Sequence, residues 1–336
     1  MNVKVFKKMM SIKGMGAALT AFVGLIVIYV TFGIINPTVF SGQNILNLLR
    51  SMSKYLLIGI AQSYVMITGN IDLSIGAQVG MSAMIVATLM TLGVNPAVAV
   101  IAALITCVIC GIVNGILVGK FKLPPFIATL GTMFVTRGVA YMVNNNRNTD
   151  AIASGVGKET GDAFQNGLYY GSTLGIFNTF WIALIVFIIF FFLLSRTKTG
   201  RHIYAIGSNV DAARLSGVDV TKTTTKAYLV SAVCSCLVGT ILCAQAGMGN
   251  MEAGTMYEMY GVAAGVIGGV SPLGGSGLLL GTFAGAAVWQ TLENGLNMIG
   301  AQVGIQRLVI GVIVVAAVLL DVVIRGGKKM PKKQAA

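Results

Sequence analysis

The chain has 336 residues, enough for two ordinary soluble domains. Its composition excludes them: 56% of the residues are apolar and 10% charged, against roughly 45–50% and 25% in soluble proteins, too few charges to cover a water-facing surface. Basic residues outnumber acidic ones 23 to 10, a net charge of +13, but they gather beside apolar runs, which points to the cytoplasmic loops of a membrane protein and away from a nucleic-acid partner.

The chain opens with Lys4, Lys7, Lys8 and Lys13, followed by an apolar run from 14 to 35 that stops at Asn36-Pro37. A secretory signal has the same order of charge and apolar residues. This run is too long for one, and Asn36-Pro37-Thr38 is no small-residue cleavage site, so it reads as an uncleaved first span. A second span is expected over 55–71. Residues 73–119 are too many for one span and fold back at Gly93-Val94-Asn95-Pro96, a turn signal, giving a third and a fourth. Lys120 and Lys122 form a short basic connection to a fifth, about 125–142. Residues 143–177 are polar and glycine-rich, an exposed loop with a short helix. The sixth span covers 178–195.

A long basic loop follows over 196–226, carrying Arg196, Lys198, Arg201, Arg214, Lys222 and Lys226. Spans seven to ten fall at 227–248, about 257–270, about 277–298 and 305–324. Arg325, Lys328, Lys329, Lys332 and Lys333 close the chain. Ten crossings that start from a cytoplasmic N-terminus place all four basic clusters in the cytoplasm and 143–177 outside, with Arg50 and Lys54 dissenting on the outer side. The expected fold is therefore an all-α polytopic membrane protein of about ten helices with both termini cytoplasmic. It forms a single domain over 1–336, made of six spans in 14–195, the loop 196–226, four spans in 227–325 and a basic tail over 326–336. Asn114-Gly115 with Gly131 sixteen residues on returns as Asn294-Gly295 with Gly311, an offset of 180. Internal duplication produces such repeats in transporters; glycine and asparagine are also common enough here for coincidence.

Chemistry-bearing residues are sparse. All five cysteines, including Cys107-x-x-Cys110, lie inside apolar runs and read as buried structural thiols. His202 is the single histidine and has no ligand partners nearby in sequence, so no metal site is expected. In the basic loop, Ser208-Asn209-Val210-Asp211 reads as a capping box in which the Ser208 hydroxyl accepts an orphan N–H and Asp211 reaches back. Ala212, Ala213 and Arg214 favour helix, and Gly217 supplies the stop. A helix this short is marginal in water, so it must dock, either on the protein's own cytoplasmic face or on a soluble partner.

Charges at membrane depth or at its edge are Asp72, Arg137, Glu258, Glu293, Arg307 and Asp321, each a site hypothesis because each is costly there. Asp72 follows Thr68-Gly69-Asn70, a break in an apolar run that is tolerated only when buried in protein or lining a cavity. Gln62, Asn70, Asp72, Ser74 and Gln78 are the candidate pathway residues, with interhelical bonding as the equal alternative for the Asp72 cluster. An ion-coupled transporter using Asp72, Glu258 or Glu293 is the rival reading. A membrane-embedded enzyme is disfavoured because nothing groups nucleophile, base and metal.

Asp211-Ala212-Ala213-x-x-x-Gly217 resembles the Glu-Ala-Ala-x-x-x-Gly loop of ABC importer membrane subunits. The run from Thr199 through Gly200, Arg201 and His202 to Gly207, continued by Asn209 and Ala212 to Gly217, is similar to the permeases of ribose-, galactose- and xylose-type sugar ABC importers. So are Ile67 to Gly76 (ITGNIDLSIG), Pro124 to Thr132 (PPFIATLGT), Ile267 to Gly275 (IGGVSPLGG) and Asn294-Gly295-Leu296. The resemblance runs from about residue 40 to 321. Asn70 departs from the family's usual glycine, and Tyr260 from its usual acidic residue. The resemblance implies a bacterial inner-membrane permease working as a homodimer or paired with a second permease. It implies a tandem-domain ATP-binding cassette subunit on Gly200, Arg201, Gly207, Ser208, Asn209, Asp211, Ala212, Ala213, Arg214 and Gly217, and an extracytoplasmic sugar-binding protein. The chain itself carries no cofactor. It has no Gly-x-x-x-x-Gly-Lys-Ser/Thr phosphate loop, and the glycine-rich 268–277 lacks a lysine, so ATP and magnesium belong to the partner ATPase.

Overall fold

The computed structural model of the protein describes residues 15–326. Lys4, Lys7, Lys8, Lys13, Lys328, Lys329, Lys332 and Lys333 lie outside the described residues, as do the side chains of Asp321 and Arg325. The helices are α1 (Met15–Ile35), α2 (Gly42–Ile67), α3 (Ile75–Thr91), α4 (Pro96–Gly119), α5 (Pro125–Met142), α6 (Ala153–Val156), α7 (Lys158–Gln165), α8 (Asn178–Arg196), α9 (Lys198–Ser208), α10 (Val210–Leu215), α11 (Val220–Ala246), α12 (Tyr257–Ile267), α13 (Leu279–Met298) and α14 (Val303–Gly326). Four of them, α1, α4, α8 and α11, are long and apolar enough to cross a membrane by length and composition.

The boundaries follow local chemistry. The turn between α3 and α4 has Gly93 at φ +81°. There Asn95 accepts a hydrogen bond from the Ala97 N–H at 2.9 Å and Pro96 opens the helix, where its missing N–H costs nothing. Helix α11 starts at Val220 rather than 227, because the Asp219 carboxylate caps it by accepting from the Lys222 N–H at 2.9 Å. That bond holds the Asp219 carboxyl below the usual carboxylate range. Helix α2 starts at Gly42 rather than 55, so Arg50 and Lys54 lie inside a helix and not in a flank. The Arg50 guanidinium stacks over the rings of Tyr169 and Phe177. The expectation of an all-helical chain needs one amendment. In the 143–177 segment, β1 (Ser172–Thr173) and β2 (Ile176–Phe177) pair antiparallel around Leu174 and Gly175, both at positive φ, as a two-residue hairpin turn demands.

Packing is sorted by polarity in the sense a bilayer requires. Helix α11 packs on α2, α3 and α4, and α13 on α1, α2 and α12. From Ile75 to Ala87 every residue of α3 is buried. The very apolar α1, α4 and α8 instead lie at the periphery with few of their residues buried and with Ile26, Ile105 and Ile188 exposed. Close approach between helices is made by glycine. Gly111, Gly115 and Gly119 repeat every fourth residue along α4 and face α11, and a Cβ on Gly115 would run into the Thr225 backbone.

The connecting segments collect at two ends of the bundle. At one end the Thr149 N–H donates to the Gly249 carbonyl, the Ile152 N–H to Gly247, and the Asn36 amide to the Met298 carbonyl. At the other the Gly275 N–H donates to the Ile67 carbonyl, the Tyr204 hydroxyl to Gly277 and the Thr221 hydroxyl to Gly119. Helix α12 departs from the expected span 257–270: it is 11 residues long, about 17 Å at 1.5 Å per residue and well short of a ~30 Å hydrocarbon core. It gives way to irregular backbone in which Val270 and Ser271 are buried.

Replacing Gly115 by valine should lower the stability of the purified protein by about 1–3 kcal/mol, the usual cost of overpacking. Gly131→Ala, where nothing lies within 4 Å, should be neutral or mildly stabilising. Thermal unfolding in one detergent compares the two, and an unchanged midpoint for Gly115→Val would contradict the α4–α11 contact.

Candidate translocation and coupling sites

The segment between α2 and α3 ends in a polar knot. Asp72 is fully buried. One carboxylate oxygen accepts from the Ser74 N–H at 2.9 Å and from the Ser74 hydroxyl, and the other from the Ser231 hydroxyl of α11 at 2.7 Å. The Ser74 hydroxyl then accepts from the Gln78 amide and from the Asn114 amide of α4, both at 2.9 Å, which uses its single donor and both lone pairs. The Asn114 carbonyl in turn accepts from the Thr132 hydroxyl of α5 at 2.7 Å, and the Tyr228 hydroxyl donates to the Ile71 carbonyl at 3.0 Å. Four helices are tied to one carboxylate.

Of the five pathway candidates, Asp72, Ser74 and Gln78 therefore meet in one network. Asn70 does not join it: partly exposed, it donates to the Thr68 hydroxyl at 2.8 Å. Its own φ is not positive, and the left-handed turn residue is Gly69 at φ +80°, so asparagine is tolerated at 70. Gln62 is also apart. It is fully buried on α2 against Gly261 of α12, and neither of its amide atoms has a hydrogen-bond partner. Sequence reasoning missed Ser231, Thr132 and Tyr228 as members of the network. Hydroxyls set in apolar helices were the available signal.

The remaining charges have separate posts. Arg137 reaches the loop after α11: its guanidinium donates to the carbonyls of Met251 and Ala253 at 2.8 and 3.0 Å, and a Cβ on Gly80 would touch it. Glu258 lies against Gly76, whose missing side chain makes the room. In the loop between α11 and α12, a hydrogen bond from the Tyr141 hydroxyl holds the Glu252 carboxyl below its ordinary range. Glu293 accepts from the Tyr55 hydroxyl at 2.7 Å, and the Tyr55 ring packs on those of Tyr257, Tyr260 and Trp289. Tyr260, which stands where the resemblance expects an acid, is thus part of an aromatic cluster. The Cys-x-x-Cys pair points two ways, Cys107 toward the Gln78 carbonyl and Cys110 toward Thr136, and all five cysteines are free.

In the basic loop the short helix exists one register later than expected. Asn209, not Ser208, is its cap and accepts from the Ala212 N–H at 2.9 Å. Ser208 ends α9 and its hydroxyl turns back to the Tyr204 carbonyl, while Asp211 pairs with Arg214 at 3.4 Å instead of reaching back. The stop is as expected: Gly217 has φ +83°, its N–H donates to Arg214 and the Val218 N–H to Ala213, the paired bonds of a Schellman ending. Ala213 and Val218 pack on Ile206, so α10 rests on α9, and Leu215 projects outward at 90% exposure. Gly200 sits over the Leu194 carbonyl and Gly207 over the Ile67 carbonyl, both at distances only a glycine can occupy. Arg201 is exposed at the surface of α9.

The family described as "Branched-chain amino acid transport system / permease component" matches residues 44–318, which contain both the Asp72 network and the α9–α10 loop. The chain belongs to this permease family. It is 36% identical over 315 residues to the ribose import permease protein of Bacillus subtilis (strain 168), covering 94% of this chain and 96% of that one. It is 35% identical over 299 residues to the D-allose transport system permease protein of Escherichia coli (strain K12), covering 88% and 89%. The autoinducer 2 import system permease protein of Salmonella typhi is 28% identical over 302 residues, covering 90% and 84%. No solved structure matches the chain. The permease is accordingly a transport subunit and not an enzyme, and family membership favours the importer reading over ion coupling through Asp72, Glu258 or Glu293.

In the permease, Asp72→Leu leaves three donors without their acceptor and should cost about 3 kcal/mol or more, since hydrogen bonds to charged groups contribute roughly 1.5–3 kcal/mol each. Gln62→Met removes a buried amide that bonds nothing and should leave stability unchanged or higher. Denaturation midpoints in detergent check both; equal losses for the two would refute the contrast drawn between them.

Proposed function

We propose that this permease is the membrane subunit of an ATP-driven importer for a monosaccharide or related polyol, built from two copies of the chain in a bacterial inner membrane. A tandem-domain ATPase, carrying ATP and magnesium, docks on the cytoplasmic loop, and an extracytoplasmic binding protein delivers the sugar. The near full-length likeness to ribose and allose permeases supports the cargo class. The observation that carries the ATPase contact is α10 itself. It is too short to be stable alone, it is fixed by Asn209, Gly217 and the Ile206–Ala213–Val218 cluster, and it presents Leu215 to solvent. Gly200, Arg201, Gly207, Ser208, Asn209, Asp211, Ala212, Ala213, Arg214 and Gly217 make up the coupling loop in this reading.

The reading includes ten crossings with both termini in the cytoplasm, and the sorting of the connections into two ends supports it. The end with 68–74, 197–219 and 268–278 is cytoplasmic; the end with 143–177 and 247–256 faces outward. Gln62, Asn70, Asp72, Ser74 and Gln78 remain the candidate pathway residues. Gln62 is the one with unused hydrogen-bonding capacity on both amide atoms, while Asp72 positions helices around it.

Leu215→Asp should weaken co-purification of the ATPase by about tenfold or more, as loss of a central apolar contact does, without shifting the permease's own melting point. Undiminished ATPase binding would remove α10 from the contact. Cysteines placed at the exposed Glu159 and Lys222, in a background without the five native ones, test the sidedness. An impermeant thiol reagent added outside should label the first and spare the second; the reverse or equal labelling would overturn the topology.

A further inference from the structure

A cavity of about 450 Å³ lies at the outer end of the bundle, between α2, α3, α11 and the loop that follows α11. That volume is in the range of natural small-ligand sites. Its wall includes Lys54, Tyr170, Gln245, Met248, Asn250 and Tyr257, and Lys54 is the sole charged residue among those that line it. The Lys54 Nζ donates to the Gln245 carbonyl oxygen at 3.0 Å, one use of an ammonium that has three donors. Among the described residues no carboxylate forms an ion pair with it. The Glu293 carboxylate is engaged by Tyr55 and does not line the cavity. A cation placed inside a spanning helix is costly and is retained where it has work to do.

The amides of Gln245 and Asn250 are donors too. Gln245 has given its oxygen to Lys54, which leaves its NH2 group. Asn250 has given its oxygen to the Glu252 N–H at 2.8 Å, which leaves its NH2 group as well. The Tyr170 hydroxyl spends its proton on the Gln245 backbone carbonyl at 2.8 Å. Tyr257 supplies a flat apolar wall. A donor-rich cavity with one positive charge and no acid in its wall fits a ligand rich in acceptors and negatively charged.

We propose that this cavity is a binding site for a polyhydroxylated carboxylate of monosaccharide size, a sugar acid. Its carboxylate sits on the Lys54 ammonium and its hydroxyl oxygens accept from the Gln245 and Asn250 amides. A neutral sugar fills the volume but leaves the ammonium without a counter-charge. None of the side chains of the Asp72 network lines this site, and its occupancy does not depend on what the importer carries. It goes beyond the import reading and stands or falls by binding alone.

The test uses the full-length permease in nanodiscs of neutral lipid with radiolabelled D-gluconate as the probe. Saturable binding is expected. It should resist competition by D-glucose or inorganic phosphate, fall by about tenfold or more in Lys54→Met (about 1.4 kcal/mol or more) and stay within about threefold of the original in Lys54→Arg. Asn250→Ala, at an exposed loop position, should weaken binding about threefold. Melting points of all variants check that each is folded. No saturable binding, equal competition by glucose, or wild-type affinity in Lys54→Met would overturn the proposal. Competition by phosphate equal to that of gluconate would reduce the site to a general anion site and overturn the sugar-acid assignment. Failure of any of these leaves ATP-driven uptake, measured separately, untouched.

Discussion

A buried carboxylate persists only when both oxygens accept hydrogen bonds, and this condition, met at Asp72, shapes the bundle around it. Meeting it requires a hydroxyl from α11, a hydroxyl and an N–H at the start of α3, and, through Ser74, amides from α3 and α4. Thr132 of α5 is drawn in to satisfy Asn114. Because a half-satisfied network in a low-dielectric interior is worse than none, the relative positions of α3, α4, α5 and α11 are set together. Gly239 makes the same point sterically: a Cβ there would strike the Ser82 hydroxyl and the Val79 carbonyl, so α11 lies directly on α3 beside the network.

The outer surface follows a different rule. Lipid is as apolar as leucine, so helices facing it need no polar side and gain nothing from hiding their apolar ones. That is why the most apolar helices are the least buried, with α1, α4 and α8 at the periphery, while α3, which carries Gln78 and Ser82 and follows Ser74, is enclosed. In a soluble protein this ordering would be reversed. Amphipathic period, the usual guide to which face of a helix is inside, is correspondingly weak here, and the run of apolar residues is the stronger signal.

That contrast explains what the sequence could and could not tell. The hairpin of α3 and α4 was legible because Gly93, Asn95 and Pro96 are local turn and cap residues whose effect needs no distant partner. The start of α2 was not, because Arg50 and Lys54 look like the flank of a span until their partners are known, and those partners are Tyr169, Phe177 and Gln245, more than a hundred residues away. The cap of α10 was misplaced by one because Ser208 and Asn209 are both good caps. The choice is made by α9, which runs through Ser208 and takes its hydroxyl for the Tyr204 carbonyl. The Asp72 cluster was visible as a polar break, but its partners on α4, α5 and α11 were not. Gln62, grouped with it by composition, faces α12 instead.

The α9–α10 end raises a mechanical question: if an ATPase docks there as proposed, how can a force applied to α10 reach the interior of the bundle? The route is short and made of backbone. Helix α10 rests through Ala213 and Val218 on Ile206 of α9. The next residue, Gly207, lies on the Ile67 carbonyl at the end of α2 and against Gly275, and Gly274 in turn lies against Gly69. The Gly275 N–H closes the junction on the same Ile67 carbonyl at 2.9 Å. Side chains can absorb displacement by changing rotamer; backbone atoms in direct contact cannot. Where three segments cross with nothing but glycine between them, a shift of α9 must move the end of α2 and the 268–277 segment with it. Both lead directly to irregular backbone, 68–74 before α3 and 268–278 between the short α12 and α13. Such backbone is tolerated at depth because the protein covers it and supplies its bonds, and it bends where a continuous helix would resist. In the proposed coupling role, a rigid contact feeding two flexible breaks is how a small surface helix would act on the helix bundle.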